Sequence, residues 1–138
     1  ACDPDGPLMV YISKMLPAGG PSSSRFLAFG RVFSGSVRPG EQVRILSDGY
    51  YPGAKHGVFV RPVSSINHVM GPYLEPISGR VGPGAIVAIA GIDRYLEKNA
   101  TLTSAEDAHT FASLHHAVAP VVRVLVRLDK RAAKGKGG

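Results

Sequence analysis

The sequence has a single cysteine, Cys2. It has no apolar run as long as the ~18 residues that a membrane-spanning helix needs. One cysteine excludes an internal disulfide and fits a reducing compartment. The missing apolar run and the missing basic leader predict neither a membrane span nor a secretory signal. The expected location is therefore cytoplasmic. No Gly-x-x-x-x-Gly-Lys-Ser/Thr loop and no Gly-x-Gly-x-x-Gly fingerprint are present, so the chain offers no phosphate cradle of either kind. His56, His68, His109, His115 and His116 lack zinc-site spacing, and no cysteine pair supports them. Cys2 lies beside Asp3 and Asp5, acidic neighbours that make it a poor nucleophile. The carboxylates fall mostly in turn-like stretches, as with Glu41, Asp48, Asp93, Glu106 and Asp107, and no two of them mark a catalytic pair. The expectation is a chain without catalytic, nucleotide-binding, metal or cofactor residues.

What is present is a globular composition in one domain's length. The chain has 138 residues, 44% hydrophobic and 19% charged. Its 17 glycines and 11 prolines break any long helix and favour short strands joined by turns. The first residue is Ala1, which suggests a piece of a longer protein. The net charge is +6, and half of it lies in residues 128–138, where Lys130, Arg131, Lys134 and Lys136 face only Asp129. Residues 129–138 read as a disordered basic Gly/Lys tail. The remaining body is mildly basic, which suits a nucleic-acid partner. A solvated basic surface with no partner produces the same balance.

Strand periodicity dominates. Leu8, Val10 and Ile12 alternate with Met9, Tyr11 and Ser13. Residues 17–24 form a loop by composition, and 25–37 a long strand interrupted by Gly30 and Gly35, where bulges or bends are expected. Residues 42–47 place Val43 and Ile45 inward. Arg38-Pro39-Gly40-Glu41, Tyr51-Pro52-Gly53-Ala54 and Gly82-Pro83-Gly84-Ala85 share the Pro-Gly centre of a type II turn. The first reads as a hairpin between two strands. Residues 58–70 read as one strand broken near Pro62. Residues 85–92 are apolar on both faces and read as a central strand. Asp93–Leu96 reads as one helical turn, 101–103 as a short strand, 104–107 as a polar turn, and 118–128 as the last strand. The predicted class is all-β, a closed antiparallel β-barrel.

The positive signal is arginine on strands: Arg25, Arg31, Arg38, Arg44 and Arg61. Arg31 stands in a period-two row with Leu27, Phe29 and Phe33. An arginine there lies at a rim or faces a partner whose phosphate or carboxylate its planar fork grips. Taken singly, each also fits a stem lying along apolar surface with its head in water.

These residues carry a resemblance. Ser13-Lys14-Met15 is followed by Phe26, then Ala28-Phe29-Gly30-Arg31-Val32-Phe33-Ser34-Gly35, then Gly40-Glu41-Gln42-Val43-Arg44-Ile45. Met70-Gly71, Glu75-Pro76-Ile77, Pro83-Gly84, Gly91-Ile92-Asp93 and Thr101-Leu102-Thr103 continue the order. The chain resembles domain II of the elongation factor 2 family, the GTP-dependent ribosomal translocases of protein synthesis, from about Ala1 to Leu128. Two relatives share the pattern: the spliceosomal GTPase of the fifth small nuclear particle and the cytosolic GTPase that matures the large ribosomal subunit. The latter carries a large insertion where this chain has only residues 17–24. The family's Pro-Ala-Gly-Asn is here Pro83-Gly84-Ala85-Ile86, a departure that removes a polar side chain near the rim.

The resemblance implies a non-catalytic β-barrel, residues 1–118, that supports a GTPase domain and touches small-subunit ribosomal RNA. Arg31, Arg38, Arg44 and Arg61 are then the candidate RNA contacts. GTP and magnesium belong to the GTPase domain of the parent, outside this chain. Residues 119–128 resemble the opening strand of the following domain, and an uncovered strand of that kind invites a dimer. A stand-alone RNA-binding barrel remains the alternative that charge alone supports.

Overall fold

The computed structural model describes residues 2–18, 25–96, 98–113 and 121–127. Eight strands form its regular structure: β1 (Met9–Pro17), β2 (Phe26–Ser34), β3 (Gln42–Ser47), β4 (Val58–Pro62), β5 (Ser65–Met70), β6 (Tyr73–Ile77), β7 (Ile86–Ala90) and β8 (Ala100–Thr103). One 3-10 turn, Asp93–Tyr95, precedes β8. All strands join one antiparallel sheet in the order β4-β3-β8-β1-β2-β7-β5-β6. The fold is therefore all-β, as the alternation and the turn residues predict. Among the described residues no strand ladder supplies the expected closure, and β4 and β6 are edges of the sheet.

The core is aliphatic. Val10, Ile12, Ala28, Val32, Ile45, Ile66, Ile89 and Leu102 are fully buried and come from six different strands. The predicted inward rows of 8–12 and 42–47 are those observed. In β7, Val87, Ala88 and Ile89 are all buried, which fits a central strand between β2 and β5. β-Branched side chains suit these positions because they are already restricted in χ1 and pack well on a pleated surface.

The long strand over 58–70 breaks as expected, and the break has a clear geometry. The Val63 N–H donates to the Glu41 carbonyl at 3.0 Å, on the β3 side. The next residue, Ser64, donates its N–H to the Ala90 carbonyl at 3.0 Å, on the β7 side. Two consecutive residues thus bond to distant parts of the sheet order. Pro62, which has no N–H, sits at the end of the edge strand β4, where no ladder donor is lost.

The turn chemistry holds at all three Pro-Gly centres, where Gly40, Gly53 and Gly84 have φ of 83°, 91° and 90°. The hairpin expected at the first of them is not formed. β2 pairs with β1 and β7, whereas β3 pairs with β4 and β8. The predicted strand ends at Ser34, and Gly35, at φ 66°, turns the chain away. Val37 then bridges Val81 instead of extending β2. A strand over Tyr73–Ile77 was not foreseen. It forms a tight hairpin with β5 through Gly71-Pro72.

The expected irregularity at Gly30 appears as a bulge in its partner: Ile12 pairs with Gly30 and Lys14 with Phe29, leaving Ser13 extra. Gly30 permits a close backbone approach, since a Cβ there would lie 2.2 Å from the Tyr11 carbonyl oxygen and 2.8 Å from Ile12 Cδ1. Of the expected last strand, residues 118–120 and 128 lie outside the described residues. Residues 121–127 carry no strand. Val121, Val122, Val124, Leu125 and Val126 are 74–94% exposed, and among the described residues no strand pairs with them. The tail over 129–138 and the loop residues 19–24 also fall outside the described residues.

Gly30→Ala is expected to cost about 3 kcal/mol or more, because the clash is with backbone. Gly40→Ala, with nothing within 4 Å of its Cβ, should cost only the ~1–2 kcal/mol of left-handed backbone strain. Urea unfolding of the two variants checks the order; equal midpoints would contradict it.

Candidate nucleic-acid interface

The arginines singled out in the sequence lie on different parts of the fold. Arg31 is on the outer side of β2, opposite Tyr11 on one side and Ile86 on the other. It is exposed, as is Arg38 in the loop between β2 and β3. Among the described residues neither guanidinium has a hydrogen bond or ion pair. Arg44, on β3, is paired with the Glu106 carboxylate and keeps 26% of its side-chain surface exposed. Arg61, at the end of β4, donates to the Val60 carbonyl at 2.8 Å and lies over the Tyr95 ring, 4.7 Å from its centroid. Arg25 is exposed just before β2.

These side chains do not converge. β8 and β1 lie between β3 and β2, so Arg44 and Arg31 are three strand spacings apart, roughly 14 Å. Arg61 pairs with inward-facing Val43, whereas Arg44 pairs with Val60, so the two project to opposite faces. Of the candidate contacts, Arg31 and Arg38 are the two free to meet an anion from outside.

The segment after β8 explains how Arg44 is occupied. Residues 104–113 run across the outer face of the sheet. Phe111 packs on Tyr11 and Phe33, with ring centroids 5.8 and 5.0 Å away. Its N–H donates to Thr101 Oγ1 at 2.9 Å, and the Ala105 N–H donates to Thr103 Oγ1 at 3.0 Å. Thr101 and Thr103 are buried polar residues whose hydroxyls are satisfied by this segment. Glu106 reaches Arg44 from the same segment. The sequence marked 104–107 only as a polar turn, and Phe111 carried no periodic signal.

A second basic region was not foreseen. Phe59 on β4 and Tyr95 on the 3-10 turn have ring centroids 5.2 Å apart at 41°. They line an open cavity of about 460 Å³ together with Arg94, Lys98, Asp48 and Asn99. The one available signal was the period-two spacing of Phe59 and Arg61, which puts both on the side of β4 that faces Tyr95. Tyr95 itself comes from a distant stretch of chain. Arg80, also not singled out, donates to the Ser36 carbonyl at 3.3 Å and the Ser36 hydroxyl at 2.9 Å, and approaches Glu41 at 3.7 Å.

Cys2 is exposed, and among the described residues no three His, Cys, Asp or Glu side chains come together as a metal site would require. His115 and His116 lie outside the described residues. No helix of the described residues is long and apolar enough to cross a membrane. No family model matches the chain.

Phe111→Ala is expected to cost roughly 2–3 kcal/mol, at the lower end of aromatic truncations because the ring is half-buried. Glu106→Gln should cost under about 1 kcal/mol, since it removes an ion pair whose acidic partner is 84% exposed. Thermal unfolding of both variants measures the difference, and a larger loss for Glu106→Gln would contradict it.

Proposed function

We propose that this chain is the non-catalytic second domain of a translational GTPase of the elongation factor 2 family, contacting small-subunit ribosomal RNA. The observation that carries the reading is the placement of the Ala28–Gly35 block. Those residues run along β2 and the turn that ends it, and Gly30 is sterically required there. The block presents Arg31 outward with its guanidinium free among the described residues. Both features give a physical reason for the order Ala-Phe-Gly-Arg-Val-Phe-Ser-Gly.

On this reading the sheet is a barrel of the translation-factor domain II type. Its closure runs through the chain itself, where β4 passes into β5 at Val63-Ser64. The paired hydrogen bonds at that junction support the closure. Arg31 and Arg38 supply the phosphate contacts, and Arg44 is held back by Glu106. Nucleotide chemistry stays with the GTPase domain of the parent, so this chain works in the cytoplasm as a support and a contact surface. The exposed apolar residues over 121–126 are then covered by the following domain. A dimer through that segment is the second reading, favoured by the same exposure.

Arg31→Glu combined with Arg38→Glu should weaken co-sedimentation of the chain with purified small ribosomal subunits. It should also flatten the dependence of log affinity on log salt by about one unit or more per arginine removed. A wild-type chain that does not co-sediment at low salt would overturn the proposal. Calorimetric titration of the chain with GTP and magnesium should give only heat of dilution, and micromolar binding would contradict the division of labour.

A further inference from the structure

The cavity between Phe59, Tyr95, Arg94 and Lys98 lies apart from Arg31 and Arg38, and the preceding proposal does not use it. Its lining combines three chemistries. Phe59 and Tyr95 offer aromatic surface, and Phe59 remains 39% exposed beside the cavity. Arg61 already covers Tyr95 at 4.7 Å, so the ring surface left for a visitor is chiefly that of Phe59. Arg94 and Lys98 bring two cations that make no ion pair among the described residues. Asp48 and Asn99 add a carboxylate and an amide.

We propose that this cavity binds one unpaired RNA base together with its phosphate. The inference rests on the reading of the chain as an RNA-contacting domain and names a separate subsite for it. The volume, about 460 Å³, suits a ligand of nucleotide size. The base lies against the Phe59 ring, because every base has a π-face and stacking on aromatic side chains is how unpaired strands are held. Arg94 and Lys98 take the phosphate as charge partners. Asp48 argues against a bare polyphosphate, which it would repel. It favours a base with an exocyclic amine that donates to the carboxylate, as adenine, cytosine and guanine have and uracil lacks. Base pairing would hide that edge, so the ligand is a looped-out or single-stranded base rather than a duplex.

Fluorescence anisotropy of the intact chain with three labelled RNA hexamers tests this: oligo(A), oligo(U) and an abasic backbone of the same length. Oligo(A) should bind about fivefold or more tighter than the abasic strand. Phe59→Leu should erase that advantage while leaving abasic binding unchanged. Asp48→Asn, placed in a turn, should reduce the preference for oligo(A) over oligo(U) without altering the melting temperature. Lys98→Gln should weaken all three strands alike. Equal wild-type affinity for oligo(A) and the abasic strand would overturn the proposal. So would unchanged discrimination in a Phe59→Leu chain that melts normally, or displacement of oligo(A) by oligo-glutamate at the same charge concentration. Because no ribosome is present, hexamer discrimination with no co-sedimentation would support this subsite and remove the ribosomal reading. Co-sedimentation without discrimination would do the reverse.

Discussion

The step from Val63 to Ser64 ties two distant parts of the sheet order to one point of the chain. One peptide unit separates a hydrogen bond to the Glu41 carbonyl from a hydrogen bond to the Ala90 carbonyl. Val63 is fully buried, and an unmade bond at its N–H would cost the desolvation of a backbone amide, whereas Ser64 is exposed. The chain can satisfy both only if the two halves of the strand diverge. The break near Pro62 permits that divergence, because proline ends the edge ladder without orphaning a donor. β3, β4, β5 and β7 all take their positions from this junction.

The outer face is organised differently. The inner rows close by burying aliphatic side chains, but the outer rows of β8 and β1 carry Thr101, Thr103 and Tyr11. These need polar partners as well as cover, and residues 104–113 supply both. The same segment brings Glu106 to Arg44. Structural packing of one face therefore decides which cation of the region is still available to an external anion. Arg31 lies beyond the reach of that carboxylate and keeps its charge free among the described residues.

Much of this was legible from sequence. The inward row of Leu8, Val10 and Ile12 follows from alternation, which leaves a strand with one apolar face no other way to bury it. The positive φ at Gly40 follows from the Pro-Gly centre, whose proline presets the preceding residue. The burial of Val87, Ala88 and Ile89 on both faces follows from apolar residues of both parities over 85–92. The hairpin misassigned at Arg38–Glu41 shows the limit of such reasoning. Turn chemistry specifies how the chain reverses locally but not which strand it meets afterwards. That choice was made by Gly35 and by the Val37–Val81 bridge, a contact between distant residues.

The sequence by itself determined the class of structure, most of the strands from β1 to β8, the turn geometry and the supply of basic side chains, because each depends on a few neighbouring residues and on period two. It also placed Arg31 in an otherwise apolar row. Tertiary structure alone decided the strand order, with β4 and β6 as its edges among the described residues, and the fate of each candidate arginine. Arg44 meets Glu106, and Arg61 meets Tyr95, across separations in the chain that no local pattern encodes. Phe59, Tyr95, Arg94 and Lys98 became one cavity for the same reason. A shared site needs distances between side chains, and distances between remote segments exist only once the sheet has folded.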